Sequence, residues 1–286
     1  MRKSTADLVA ALPPYLRKGP LILSKRVQHK INKYRFQRVG SDTQSVSTDV
    51  QNWRMVLPTD DLEVSRQLFY NGVYDEPLVN VLREIIDGGQ TIADVGSHIG
   101  FMTLVMAERV GSPGSVFALE PHPDNFHYLE ENVRLNGYQD RVECLNFGLS
   151  DEESTSELHI HPENKGAHSI VHPSPTRNES SVEIQTKLGD TVLPRDVDFL
   201  KIDTEGAEPL IFKGLTETIK TSQPTIAFEY DSRLWDLPPR QALESLVGVG
   251  YSFERIGYFQ DGYRQRITIP EILNRSRANL LAIPPK

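Results

Sequence analysis

The residues that most invite a chemical reading are Asp94-Val95-Gly96-Ser97-His98-Ile99-Gly100, with Glu120 standing twenty positions beyond the last glycine. Glycine at 96 lets the chain turn sharply and approach a ligand where a Cβ would collide. Gly100 opens a helical pattern, and the free N–H groups of a helix start favour an anionic or polar ligand group. An acid at 120 can accept both hydroxyl protons of a ribose, which marks a nucleoside ligand rather than a bare phosphate. The dinucleotide fingerprint is G-x-G-x-x-G, whereas the spacing here is G-x-x-x-G with an acid two residues ahead of the first glycine. Asp94 would repel a pyrophosphate. It could hold the amino group of a methionine moiety, directly or through water, so the spacing favours S-adenosylmethionine.

These groups need strand ends and helix starts to position them. TIADV, ending at the glycine turn, and SVFALE, ending at Glu120, are short apolar strands, and FMTLVMAERV between them has helical spacing of its apolar residues. A helix from Asp124 to Leu135 and a strand RVECLNF follow. A polar section at 151–181 breaks the rhythm with loops, and VDFLKID resumes it. The helix EPLIFKGLTETIK, the strand PTIAFEY, the helix QALESLVGVG and the closing strands YSFERIG and NLLAIP complete the series. Repeated βα units predict an α/β fold with a doubly wound, mostly parallel sheet, helices on both faces and a ligand crevice at the carboxyl ends of the strands. Residues 50–90 read as a lead-in of one strand and two helices, residues 91–286 as the Rossmann-like core, and 1–49 as a basic N-terminal extension closed by a polar linker, SDTQSVSTD.

The chain resembles the FkbM family of methyltransferases across roughly residues 55–284. The likeness rests on DVGSHIG at 94–100, EPHPDNF at 120–126, NVRLNG at 132–137, GLSD at 148–151, KIDTEGAE at 201–208 and the terminal NLLAIP. The family's usual loop is D-x-G-A-N-x-G, so Ser97 and His98 stand here for the small residue and the asparagine. The resemblance implies a seven-stranded methyltransferase sheet with S-adenosylmethionine across its first half. It implies Asp94, Gly96 and Gly100 around the methionine end, with Ser97 and His98 in the same loop. It puts Glu120 on the ribose with Pro121 beside it, and Gly148 and Leu149 near the adenine. The acceptors it implies are hydroxyls of secondary metabolites and of sugars in surface glycans.

Methyl transfer to an alcohol needs alignment in a dry site and a base for the departing proton. Asp203 ends the strand VDFLKI at the carboxyl edge and is the first candidate, either as base or through a divalent cation that acidifies the hydroxyl. Glu205 and Glu208 follow at a helix start, where capping is the alternative use for both. Lys201 shares the strand face of Asp203 and could pair with an acid. Glu229, ending TIAFE, is the matching carboxylate one strand over, or a partner for a nearby loop. His168 lies in Asn164-Lys165-Gly166-Ala167-His168-Ser169, which resembles a family segment expected to fold over the acceptor, and it is a second candidate base. His122 should flank the adenosine. His159, His161 and His172 show no metal-ligand spacing with one another or with Cys144, so no metal set is read.

Composition narrows the classes further. The total charge of −8 divides unevenly: residues 1–40 hold ten Lys or Arg against the single acid Asp7, a balance of +9, leaving −17 on the remainder. An acidic body repels phosphates from the catalytic face, so no nucleic-acid partner is expected. The basic stretch SKRVQHKINKYRFQR, with Val27, Ile31 and Tyr34 at helical spacing, is either a solvated helix packed on its own domain or a peripheral membrane contact. No run reaches a membrane span, Asp7 and Pro13-Pro14 interrupt any signal-peptide core, and the lone Cys144 suits a reducing compartment, so the cytoplasm is the expected location. Cys144 itself reads as a buried, inert thiol. Two other readings stay open: an NAD-linked oxidoreductase, weakened by the missing glycine spacing, and a non-catalytic module that keeps the cofactor pocket.

Overall fold

The computed structural model describes residue 36 and residues 43–161, 168–171, 180–235, 238–260 and 262–285. A hairpin of β1 (Ser45–Val50) and β2 (Trp53–Pro58) leads into α1 (Val64–Asn71) and α2 (Glu76–Ile85). The alternating series then runs β3 (Thr91–Val95), α3 (Phe101–Val110), β4 (Ser115–Leu119), α4 (Pro123–Leu135) and β5 (Val142–Leu145). Next come β6 (Gly148–Ser150), β7 (Ser154–Ile160), β8 (Ser180–Leu188) and α5 (Gly189–Val192). The rest is β9 (Phe199–Ile202), α6 (Glu208–Gly214), α7 (Thr216–Thr221), β10 (Thr225–Asp231), α8 (Pro239–Gly248), β11 (Ser252–Phe259), β12 (Gly262–Ile267), α9 (Ile269–Leu273) and β13 (Arg277–Ile283).

The main sheet has eight strands in the order β12-β11-β13-β10-β9-β3-β4-β5. From β10 to β5 all neighbours are parallel, while β13 enters antiparallel between β10 and β11. The doubly wound sheet expected from the βα rhythm is present, with one strand more than the seven expected. The extra one is β12, antiparallel to β11. Its sequence, GYRQRI, is too polar to announce a strand, because it forms an exposed edge and need not be apolar on both faces.

Strands β3 and β9 lie side by side in the middle, and four consecutive residues of each are buried: Ile92 to Val95 and Phe199 to Ile202. That explains their continuous apolar runs, since helices cover both faces. Alternation along the pleat divides them between two layers. Ile92 and Phe199 join Leu82, Leu104 and Leu129, whereas Ala93, Val95, Leu200 and Ile202 join Ile211, Phe212, Leu243 and Leu246. The chain leaves β3 toward β4 and β5, then returns to β9 on the other side of β3. Parallel strands that wind in opposite directions from a common pair leave a crevice beyond their carboxyl ends, here between the turns after β3 and β9.

Two expectations for the flanking segments change. The stretch 41–49 is not all linker, because β1 begins at Ser45 and pairs with β2. The polar section 151–181 is not all loop, because β7 spans 154–160 and forms a three-stranded sheet with β6 and β8. Most of the basic extension lies outside the described residues. Its Phe36 is fully buried, with its ring 5.6 Å from that of Phe69 on α1. Among the described residues no helix is long and apolar enough to cross a membrane.

Candidate active site

Two turns meet at the crevice. Gly96 takes φ +81°, and a Cβ there would sit 2.0 Å from the carbonyl oxygen of Asp203. The backbone after β9 therefore presses against the turn after β3, and only glycine fits. The two turns are also tied by the Asp203 N–H, which donates to the Val95 carbonyl at 3.1 Å.

Beneath this junction lies a buried charge pair. The Lys201 ammonium donates to the Gly96 carbonyl at 2.7 Å and stands 3.2 Å from an Asp94 oxygen and 3.9 Å from Asp203. Burial works against its charge, but Asp94 and then Asp203 outweigh it and hold its pKa above the ordinary lysine value. Asp94 accepts from the Thr103 hydroxyl at 2.6 Å and is fully buried. Asp94, expected to hold a methionine amino group directly or through water, turns its carboxylate to Thr103 and Lys201 under the turn and is not among the residues lining either cleft. Gly100 also differs from expectation. It opens α3 with φ +89°, but a Cβ on it would lie 2.8 Å from the Leu129 side chain, so its glycine serves helix packing.

Glu120 bridges the ends of β3 and β4. Its carboxylate accepts from the His98 N–H at 2.8 Å and the His122 N–H at 2.9 Å. Burial, opposed by these two amides, raises its pKa to about 7. The Asn125 side chain adds a third hydrogen bond, and the carboxylate keeps at least one lone pair for a further donor. Around Glu120 a cleft of about 570 Å³ is lined by Gly96, His98, Pro121, Gly148, Leu149 and Asp203, among others. Its far wall is apolar, built from Leu119, Leu158 and Ile170.

A second cleft, of about 1060 Å³, opens on the other side of the same turn. Gly96, His98 and Asp203 line both clefts; Ser97, Glu205, Lys201, Tyr74, Gln67 and Arg277 line only the second. This cleft is strongly charged. Asp203 is the most open of its central carboxylates, with 40% of the side chain exposed. Glu205 takes φ +52°, and its carbonyl accepts from the Ser169 hydroxyl at 2.7 Å. Glu229 on β10 does not line this cleft but a small pocket beside it that shares Lys201 and Asp203; it is buried, with one oxygen accepting from Arg277 Nε. Burial first and the Asp203 charge second push Glu205 and Glu229 above the usual carboxylate range.

The remaining candidates divide clearly. Glu208 is a brace, not a reactant: Thr204 N, Thr204 Oγ1, Gly206 N and Trp235 Nε1 all donate to its buried carboxylate. His168 lies against His122, ring centroids 4.8 Å apart, and its Nδ1 accepts from the His161 N–H. It lines the Glu120 cleft and not the charged one. Asn164 to Ala167 and His172 lie outside the described residues. Among the described residues the second cleft is walled by the α1–α2 segment, the start of α3 and Arg277 of β13. Tyr74, Gln67, Arg277 and, beside them, Asn279 holding Asp75 at 2.6 Å were all missed. Only the asparagine in NLLAIP carried a signal. The others sit in segments whose approach to the crevice depends on the completed sheet.

The model of the methyltransferase FkbM domain matches residues 94–253, more than half of the chain. The hexuronic acid methyltransferase AglP of Haloferax volcanii is 30% identical over 153 residues, 51% of this chain and 59% of that protein. Methyltransferase 1 of Beauveria bassiana is 27% identical over 147 residues, 44% of this chain and 58% of the relative, so the matches cover less than two thirds of both proteins. A crystal structure of methyltransferase FkbM from Methylobacillus flagellatus superposes with TM-score 0.45 at 14% identity, covering 90% of this chain and 60% of that one. The matched residues run from Asp94 at the first turn, through Glu120, to the carboxylates that follow β9 and β10, and on this match the chain belongs to the FkbM methyltransferase family.

Proposed function

We propose that this chain transfers a methyl group from S-adenosylmethionine to a hydroxyl oxygen of a sugar, glycan or secondary-metabolite acceptor. The observation that carries the reading is the pair of clefts that share Gly96, His98 and Asp203. One has a buried acid with acceptor capacity left for a ribose and apolar side chains suited to a flat base. The other is polar and wide enough for a sugar-sized molecule.

The residues present fit the donor. Glu120 is held by two backbone amides at the height where ribose hydroxyls would arrive, and Gly96 leaves space that a Cβ would fill. S-adenosylmethionine supplies a methyl group on a sulfonium, which departs as a neutral thioether. The chain's part is to hold the two clefts in register, exclude water from their junction and provide for the acceptor proton. Asp203 stands at that junction, the acidic surroundings favour a sulfonium cation, and Ser169 fixes Glu205 alongside. AglP, by its name, acts on a hexuronic acid, which supports a sugar as the first acceptor class to try. An Asp203 side chain 40% exposed at the junction of the clefts also favours an enzyme over a binding module.

Calorimetric titration with S-adenosylhomocysteine, with NAD(H) in parallel, tests the donor. Saturable binding of the first alone supports the reading, and labelled donor with hexuronic and neutral sugar glycans then tests the acceptor. Binding of NAD(H) instead would sink it.

A further inference from the structure

Asp203, Glu205 and Glu229 come from β10 and from the turn after its neighbour β9. One oxygen of each lies within 4.8 Å of the others. The positive charge near them does not balance three carboxylates. Arg277 bonds Glu229, while Lys201 lies nearer to Asp94 and the Gly96 carbonyl than to Asp203. Glu229 is 6% exposed, and its second oxygen, Oε2, is buried with no hydrogen-bond partner. A buried acceptor left unmade is costly unless something arrives to fill it.

We propose that Asp203, Glu205 and Glu229 form a divalent-cation site on the acceptor side of the crevice, taking Mg²⁺ or Mn²⁺. All the donors are carboxylate oxygens, the preference of hard cations, with no thiol or imidazole in the set. Donors of one Mg²⁺ stand about 3.0 Å apart when adjacent and about 4.2 Å when opposite, so the three carboxylates, now within 4.8 Å of one another, would draw in around the ion. A +2 charge also balances what Arg277 leaves over. The site's role rests on the methyl-transfer reading: the ion would fix an acceptor hydroxyl through its oxygen at the junction of the clefts, and Asp203 then acts through the ion. Its binding does not rest on that reading.

The test is titration of the metal-stripped full chain with MnCl₂, following the paramagnetic resonance signal of free Mn²⁺, with S-adenosylhomocysteine calorimetry on the same samples. The expected result is uptake of about one ion per chain, displaced by Mg²⁺ and weakened at least about tenfold in Glu229→Gln and in Asp203→Asn. Glu229→Gln should keep S-adenosylhomocysteine affinity within about twofold, which reports a folded donor cleft, since Glu229 does not line that cleft. Asp203→Asn, its folding checked by its thermal unfolding midpoint, stands in should Glu229→Gln fold poorly. No uptake by the parent chain, or uptake unchanged in both variants, overturns the site and would mean that Arg277 alone satisfies the cluster. Loss of homocysteine-analogue binding in the parent overturns the donor reading and leaves the Mn²⁺ result standing.

Discussion

Lys201 is the residue on which the crevice is assembled. Its ammonium is the shared partner of the Gly96 carbonyl, Asp94 and Asp203, and its side chain is 5% exposed. Removing one member of a buried ion pair strands the other, at a cost of about 3–5 kcal/mol. Lys201→Met should therefore lower stability by that amount in urea denaturation, and an effect under about 1 kcal/mol would show that water replaces the ammonium. Glu120 allows a sharper prediction. Loss of charge-assisted bonds to a ribose, each about 1.5–3 kcal/mol, should weaken S-adenosylhomocysteine binding at least tenfold in Glu120→Ala. The pH dependence has a definite sign. Protons and ribose hydroxyls compete for the same carboxylate, and its pKa stands near 7 in the free protein. Affinity should thus be level above that pH and decline below it, and the decline should vanish in Glu120→Gln. Glu120 and Gly96 could be singled out in the sequence because a glycine turn and a strand end mark their places locally. The partners of Asp94, Thr103 and Lys201, could not be read there, because they approach only once α3 and β9 have packed.

Among the elements, the β1–β2 hairpin shows how an exposed edge is satisfied without another strand. Asn132 on α4 accepts from the Val56 N–H at 2.7 Å and donates to the carbonyls of Val56 and Ile99 at 3.2 and 2.8 Å. One turn further on, Asn136 does the same for the N–H and carbonyl of Arg54. An i, i+4 pair of amides thus imitates a strand edge, since each carries both a donor and an acceptor. The buried member matters more. Asn132→Leu leaves an amide and two carbonyls unpaired, each at about 1–3 kcal/mol, whereas the half-buried Asn136→Leu, its partners nearer solvent, should cost under about 1 kcal/mol. Equal losses for the two in thermal unfolding would refute this account. The sequence showed NVRLNG as part of a family likeness, but not why those asparagines are there, because their partner is β2, more than seventy residues earlier. The same limit hid β12. A polar edge strand has no periodicity to betray it until β11 is in place beside it.

At the scale of the whole molecule, the topological reversal at β3 and β9 puts donor chemistry and acceptor chemistry on opposite sides of one turn. The winding of the sheet could be read from the βα rhythm, so the crevice could be located. The wall of the charged cleft could not, since α1, α2 and β13 reach it from opposite ends of the chain. This division predicts that the two clefts fail separately. Tyr74 lines only the charged cleft, and burial first, then Asp203 and Asp75, keep its hydroxyl protonated as a donor. Tyr74→Phe should raise the acceptor KM, by about fivefold for a lost neutral hydrogen bond of about 1 kcal/mol, without moving the S-adenosylhomocysteine Kd. Glu120→Ala should do the reverse, weakening the homocysteine analogue while leaving the acceptor KM at saturating donor. A Tyr74→Phe chain that loses both affinities together would mean that the clefts are one site, and that the turn at Gly96 divides nothing.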